Sequence, residues 1–369
     1  MIMSTPNLLA ILFAISATFF VSTRCNDDRP RHGGVALFIF GDSLADAGTN
    51  NYINASYFKA NFYPYGETFF HYPTGRASNG RLIADFIAEY AKLPLIPPYV
   101  RLQEHGFMGG VNFAGGGAGA LVDTFQGLVV NLHTQLKQME ELEKNLRREV
   151  GNEKAKRIVS EGVYFISIGS NDYVARVADN STLLQSISME DYVGMVIGNI
   201  TAVLKGMYEA GGRKFAVMGV GPLGCVPGMR PSTRNGSCLG EANKLAKVHN
   251  AALTSMLAKL ETQLPGFEHS YFDFYTSLSE RIQYPSKYGF KVAKTACCGS
   301  GPYRSISSCG GMRGVREYSL CRRPEKYVFF DSYHPSERVN KQFAQLMWNG
   351  SPSVTRPRNL KALFESGHV

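Results

Sequence analysis

The sequence predicts an α/β fold: a parallel sheet of about five strands with helices on both faces. Two observations predict it. Short β-rich apolar runs alternate with long amphipathic ones, and strand–helix alternation closes as a parallel sheet covered on both sides. Composition agrees. Of 369 residues, 44% are hydrophobic and 19% charged, so a full core is available and the charge imbalance of a disordered chain is missing. The 38 glycines and 17 prolines follow no fixed period, which excludes a fibrous repeat.

Taken in order, Val35 to Phe40 (VALFIF) is a continuous apolar run, as a strand buried on both faces should be. Arg81 to Lys92 follows as a helix, with Asn79 as its N-cap. Val111-Asn112-Phe113 is a short strand that ends in glycines. Leu132, Leu136, Met139, Leu142, Leu146 and Val150 then recur at three- and four-residue spacing, the mark of a helix with one apolar face. Val163 to Ile168 is the third strand. Asp191 to Ala210 is a helix stopped by Gly211-Gly212, and Lys214 to Met218 is the fourth strand. Leu239 to Leu264 is a long helix, Phe267 to Phe274 the fifth strand, and Pro335 to Trp348 a last helix with proline in its first turn. Gln283 to Lys326 is irregular and cysteine-rich, and reads as a stapled excursion from one domain over residues 26–350. Residues 351–369 read as a loosely packed tail.

At the N-terminus, Leu8 to Val21 is an apolar run of 14 residues. A membrane span needs about 20, whereas this length suits the core of a secretory signal over residues 1–25, cleaved near Cys25. The basic residues Arg24, Arg29 and Arg31 lie after the run instead of before it, a pattern that would also suit an uncleaved anchor. Length favours the cleaved signal, so a secreted protein without stable membrane insertion is expected. Cys225, Cys238, Cys297, Cys298, Cys309 and Cys321 remain, an even number without CxxC spacing, which reads as disulfides and not as zinc. The adopted pairing joins Cys225 to Cys238 and keeps the other four among themselves. Sequons at Asn54, Asn180, Asn199, Asn235 and Asn349 are candidate glycosylation sites, Asn349 the weakest because Pro352 follows. The net charge is +9, but the basic residues are scattered. Nucleic-acid binding would need them clustered on one face.

In open parallel sheets, ligands bind beyond the carboxyl ends of the strands. Gly41-Asp42-Ser43-Leu44, Gly115-Gly116-Gly117 and Gly169-Ser170-Asn171-Asp172 follow the first three strands, and Asp331-Ser332-Tyr333-His334-Pro335 comes late in the chain. These are parts for acyl transfer. A serine hydroxyl needs a base, a histidine needs a carboxylate to fix its tautomer, and a developing oxyanion needs preorganised N–H donors. Of eight histidines, His249 lies mid-helix and His269 in a strand. His32, His71, His105 and His133 have no carboxylate three residues before, and His368, which has Glu365, is next to last. His334 with Asp331 is left.

The chain resembles the plant-type GDSL esterases/lipases of the SGNH hydrolase superfamily. The blocks that carry the resemblance are FGDSLADAGTNN (Phe40 to Asn51), the stretch Asn61 to Phe86, GVNFAGGGAG (Gly110 to Gly119), SIGSNDY (Ser167 to Tyr173), GVGPLGCVP (Gly219 to Pro227), ACCGSGPY (Ala296 to Tyr303) and YVFFDSYHPSE (Tyr327 to Glu337). The resemblance implies a three-layer flavodoxin-like fold and a monomeric hydrolase without metal or cofactor. Its substrate would be a lipid, acetylated-polysaccharide or phenolic ester. Ser43 would be the nucleophile and His334 the base oriented by Asp331. Ser43 N–H, a glycine N–H and the Asn171 amide would form the oxyanion hole. Where the family usually has serine before a glycine pair, this chain has Gly115-Gly116-Gly117. Gly117 is favoured over Gly116 as the donor. Ala77 stands where the family more often carries a large apolar residue, which leaves open a wider groove wall or no effect.

Two glycine patterns compete with this reading. Gly115 to Ala120 and Gly219 to Gly224 match dinucleotide-binding spacing. The second runs into Cys225-Val226-Pro227-Gly228, no start for the helix that would hold a pyrophosphate, and the first lacks a strand and acidic residue about 20 positions on. Finally, the aromatic stretch Tyr52 to Tyr72 reads either as a loop packed over the sheet edge or as an apolar wall for an acyl group, with Phe69 and Tyr72 as its test positions.

Overall fold

The structure, a computed structural model, describes residues 34–107, 109–178 and 186–366. The expected signal segment, Cys25, Asn180 and His368 lie outside the described residues. Five parallel strands form the sheet: β1 (Leu37–Gly41), β2 (Gly110–Asn112), β3 (Val163–Ser167), β4 (Lys214–Met218) and β5 (Glu268–Phe272). The order is β2-β1-β3-β4-β5, with a sixth strand beyond β5. All five residues of β1, β3 and β4 are buried, so both faces of the sheet are covered.

One helical layer is α1 (Ile83–Tyr90), α8 (Glu337–Asn349) and α9 (Leu360–Glu365), packed in succession. The other contains α2 (Leu132–Val150), α3 (Asn152–Glu161), α5 (Met189–Glu209) and α6 (Gly240–Gln263). The short α4 (Ser170–Ala178) and α7 (Phe274–Gln283) start just after β3 and β5. The register pairs Gly41 with Ser167 and Ser167 with Met218, which aligns the carboxyl ends of the three central strands. At Gly41 the backbone turns at φ +136°, and a Cβ there would lie 2.0 Å from Ser167 O. Only glycine lets β1 end so close to β3.

Three expectations need correction. The tail is not loose. Thr355–Pro357 pairs antiparallel with β5 as the sixth strand of the sheet, and α9 buries Leu360, Leu363 and Phe364. Its short apolar pattern, split by Pro352 and Pro357, hid it. The first helix starts at Ile83, not Arg81. Asp85 caps it by accepting the Leu82 N–H at 2.8 Å, while Asn79 accepts the Glu337 N–H instead. The last long helix starts at Glu337, because Pro335 bridges to Phe329 in extended form.

The six cysteines form three disulfides, two of them within the cysteine-rich excursion. Cys225 is bonded to Cys238, Cys297 to Cys321 and Cys298 to Cys309. Cys297, Cys298 and Cys309 are buried in a small second core with Tyr65 and Phe330. Within the excursion, the two-residue strands Cys298–Gly299 and Ser319–Leu320 pair antiparallel.

Because α9 closes the edge of the main core, Leu363→Ala should cost about 2–5 kcal/mol of stability, the usual range for a buried leucine. Equilibrium urea unfolding measures it, and a loss below about 0.5 kcal/mol would mean the tail does not pack.

Candidate active site

The strand ends deliver the candidate groups to one place. Asp42 and Ser43 leave β1, and Asn171 lies in the first turn of α4 after β3. The glycine loop follows β2, and the turn Asp331 to His334 arrives from the stapled excursion. His334 Nε2 lies 2.7 Å from Ser43 Oγ, and His334 Nδ1 lies 2.7 Å from Asp331 Oδ1. Asp331 Oδ1 also accepts the backbone N–H groups of Tyr333 and His334, both at 2.9 Å. The three-residue spacing is thus a turn closed by the aspartate itself.

Burial alone would raise the Asp331 carboxyl. The charge and hydrogen bond of His334, the Arg313 charge and the Tyr65 hydroxyl overcome it and hold the group well below the usual carboxylate range. A fixed anion behind Nδ1 keeps the proton there and leaves Nε2 as acceptor for the serine hydroxyl, the tautomer a general base requires.

The oxyanion-side residues also meet here. Gly117, Asn171 and Ser43 line the same cavity, about 350 Å³ in volume. Gly116 does not offer its N–H to it, since that group donates to Asp46 Oδ2 at 3.0 Å. Gly117 sits at φ +81°, and a Cβ there would press on the Phe58 ring at 2.7 Å. Asn171 Nδ2 gives one hydrogen to Ala118 O at 2.9 Å, and an amide nitrogen has two to give.

The remaining candidates separate from this place. Asn54, Asn235 and Asn349 are exposed. Asn199 is within α5, where its amide bonds His133 and Met195 O. His249 is buried, with Nδ1 2.6 Å from the Tyr173 hydroxyl, and desolvation lowers its pKa to about 3, so it is a neutral packing residue. Ala77 lines the cavity. Of the aromatic stretch, Tyr57 and Phe58 form cavity wall. Phe69 and Tyr72 do not: they are 41% and 63% exposed, and the Arg81 guanidinium lies 3.9 Å over the Phe69 ring.

Periodicity passed over several residues that hold the site. Gln135 is fully buried, and its amide bonds both the N–H and the C=O of Gly41 at 2.8 Å, clamping the backbone just before Ser43. The available signal was a polar residue in the buried stripe with Leu132, Met139, Leu142 and Leu146. Asp46 accepts the N–H groups of Gly48, Thr49 and Gly116, and Asn50 Nδ2 donates to Gly116 O at 2.8 Å, so the β1 loop holds the glycine loop. Tyr65 reaches Asp331 from behind through its hydroxyl, and Arg313 donates to that hydroxyl in turn.

A family model described as GDSL-like Lipase/Acylhydrolase matches residues 37–347. GDSL esterase/lipase 1 of Arabidopsis thaliana is 51% identical over 336 residues, covering 89% of this chain and 90% of that protein. GDSL esterase/lipase 5 of the same plant is 47% identical over 367 residues, covering 96% and 95%. The GDSL lipase of Tanacetum cinerariifolium is 47% identical over 331 residues, covering 89% and 88%. Fold, strand-end site and relatives together define a carboxylic ester hydrolase. More narrowly, the chain belongs to the GDSL esterase/lipase family.

Burial pushes the neighbouring Asp42 carboxyl up to about 7 from the ordinary 3.8, against the Leu44 N–H and the His334 charge. A carboxyl raised on folding makes the folded state the better proton binder. Its contribution is therefore most favourable below about pH 4 and declines as pH rises to about 7. Asp42→Asn keeps an acceptor for the Leu44 N–H, which donates to Oδ1 at 3.0 Å. Its melting temperature should climb relative to wild type between about pH 4 and 8, and a difference constant over that range would contradict the assignment.

Proposed function

We propose that this protein is an exported serine esterase/lipase that hydrolyses carboxylic esters through an acyl-enzyme on Ser43. The carrying observation is the run of hydrogen bonds from Ser43 Oγ to His334 Nε2 and from Nδ1 to Asp331, each 2.7 Å. In the first half-reaction Ser43 Oγ attacks the ester carbonyl carbon while its proton passes to Nε2. Asp331 stabilises the imidazolium. The oxyanion is taken up by the N–H groups of Ser43 and Gly117 and the free hydrogen of Asn171 Nδ2. Collapse breaks the bond to the alcohol, which leaves with the proton from Nε2. Water then attacks the acyl-enzyme by the same route in reverse, returning Ser43 and releasing the acid.

The cavity supports an apolar acyl group. Phe58, Phe125, Val174, Leu223, Phe274 and Leu278 form its walls beside the serine. At about 350 Å³ it is at the lower end of small-molecule sites. Export is supported by the three disulfides, which persist in oxidising compartments, and by the apolar run Leu8 to Val21. No helix among the described residues is long and apolar enough to cross a membrane.

Ser43→Ala should abolish hydrolysis of p-nitrophenyl esters and labelling by a fluorophosphonate probe with the melting temperature nearly unchanged. Retained turnover would falsify the nucleophile. Asn171→Ala should lower kcat by about 10²–10³-fold, the usual effect of losing one oxyanion donor. A variant with unchanged kcat would remove Asn171 from the oxyanion hole.

A further inference from the structure

We propose that Tyr65, anchored by Arg313, is a positioning residue for the Asp331–His334 pair. Tyr65 comes from the loop between β1 and α1, is fully buried, and donates its hydroxyl to Asp331 Oδ2 at 2.7 Å. The other carboxylate oxygen, Oδ1, takes His334 Nδ1 and two backbone N–H groups. Asp331 Oδ2 also lies 2.9 Å from Nδ1. Without the Tyr65 donor, Oδ2 is held only by its contact with Nδ1, so the plane of the carboxylate, and of the imidazole it orients, is less firmly set. A hydroxyl on Oδ2 fixes the plane. Burial and the Asp331 charge push the Tyr65 phenol well above its usual 10, so it stays a donor over the working range.

Arg313 fixes the hydroxyl in turn. Its Nη1 donates to the Tyr65 oxygen at 2.9 Å, its Nη2 donates to Lys59 O, and the guanidinium lies 5.2 Å from the centres of the Phe62 and Tyr65 rings. With the oxygen's acceptor side filled, its proton is directed at Asp331. Arg313 stands four residues beyond Cys309, which is bonded to Cys298. The stapled excursion therefore supplies one end of a line that runs Arg313, Tyr65, Asp331, His334, Ser43, each link 2.9 Å or shorter.

Tyr65→Phe isolates the hydroxyl, because the ring keeps its edge contact with Phe330 at 5.5 Å. This inference rests on the reading of Ser43, His334 and Asp331 given above, so wild type and Ser43→Ala are run beside it. The measurements are kcat and KM for a p-nitrophenyl ester across pH, with the melting temperature. The charged or titratable groups around the pair are Asp42, Arg313, Tyr65 and Tyr333. In Tyr65→Phe, kcat should fall about 10–100-fold, the range for one hydrogen bond to a charged group. KM should stay within about twofold. The acid limb of kcat/KM should move to higher pH, because an Asp331 with one donor fewer holds a proton on His334 more firmly. Arg313→Met should shift kcat and the limb in the same directions. The double variant should lose less than the product of the two single losses, since the hydrogen-bond part of Arg313's effect runs through the Tyr65 hydroxyl. A Tyr65→Phe enzyme with wild-type kcat and an unmoved acid limb overturns the proposal, as does a kcat loss fully accounted for by unfolded protein. Should Tyr65→Phe not fold, unchanged values in Arg313→Met overturn it equally. An active wild type with an unaffected Tyr65→Phe removes only the Tyr65 role, whereas turnover by Ser43→Ala removes the underlying reading as well.

Discussion

The contact on which this site depends joins Ser43 Oγ to His334 Nε2, two residues 291 positions apart. A proton transfer tolerates little error, since a misplacement of about 1 Å costs on the order of 10²-fold in rate. Both ends must therefore be held by groups that do not move. Ser43 is fixed from below, where Gln135 clamps Gly41 and Asp42 N–H reaches across to Ser167 O at 3.0 Å. His334 is fixed from the other side by the helix that follows it. Glu337 receives Arg81 Nε at 2.8 Å and the Thr68 hydroxyl at 2.9 Å, and Asn340 Nδ2 donates to Arg81 O at 3.0 Å. The start of α8 is thereby fastened to the start of α1. α1 is fastened in turn by the buried, two-pronged Arg76–Asp85 pair. Such a pair contributes geometry more than net stability.

How much of this the sequence exposes depends on the range of the interaction. Strands buried on both faces announce themselves, because every residue of VALFIF, and all but Ser167 of VYFISI, is apolar. The strand ends then mark where Ser43, the glycine loop and Asn171 go. The D-x-x-H turn is equally local. What stays hidden is long-range and polar. Tyr65 lies within a run of aromatic residues, most of which only cover surface or line the cavity, and nothing local separates it from Tyr63 or Tyr72. Arg313 looks like one of many scattered basic residues. The sixth strand escapes for another reason: three residues ending in proline are too short to show a period, and only pairing with β5 makes them a strand. Gly116 and Gly117 are neighbours in sequence, but the Gly116 N–H is taken by the Asp46 carboxylate arriving from another loop while Gly117 lines the cavity.

The cavity shows the same division between frame and contents. Ser43, His334 and Asn171 line it together with Ser307 and Arg313, and its apolar wall is drawn both from loops, with Tyr57, Phe58 and Phe125, and from helices, with Val174 on α4 and Phe274 and Leu278 on α7. Ala77 is a small residue in that lining. The sheet and helices fix where a carbonyl would sit.

The distance along the chain between Ser43 and His334 has a bearing on synthesis. At translation speeds of about 5–20 residues per second, an interval on the order of 15–60 s separates the appearance of the serine from that of its imidazole. Throughout that interval the growing polypeptide carries the Ser43 hydroxyl without the imidazole that lies beside it in the finished fold. On the reading proposed above, with Ser43 as nucleophile and His334 as its base, the catalytic pair is completed only when the last long helix docks.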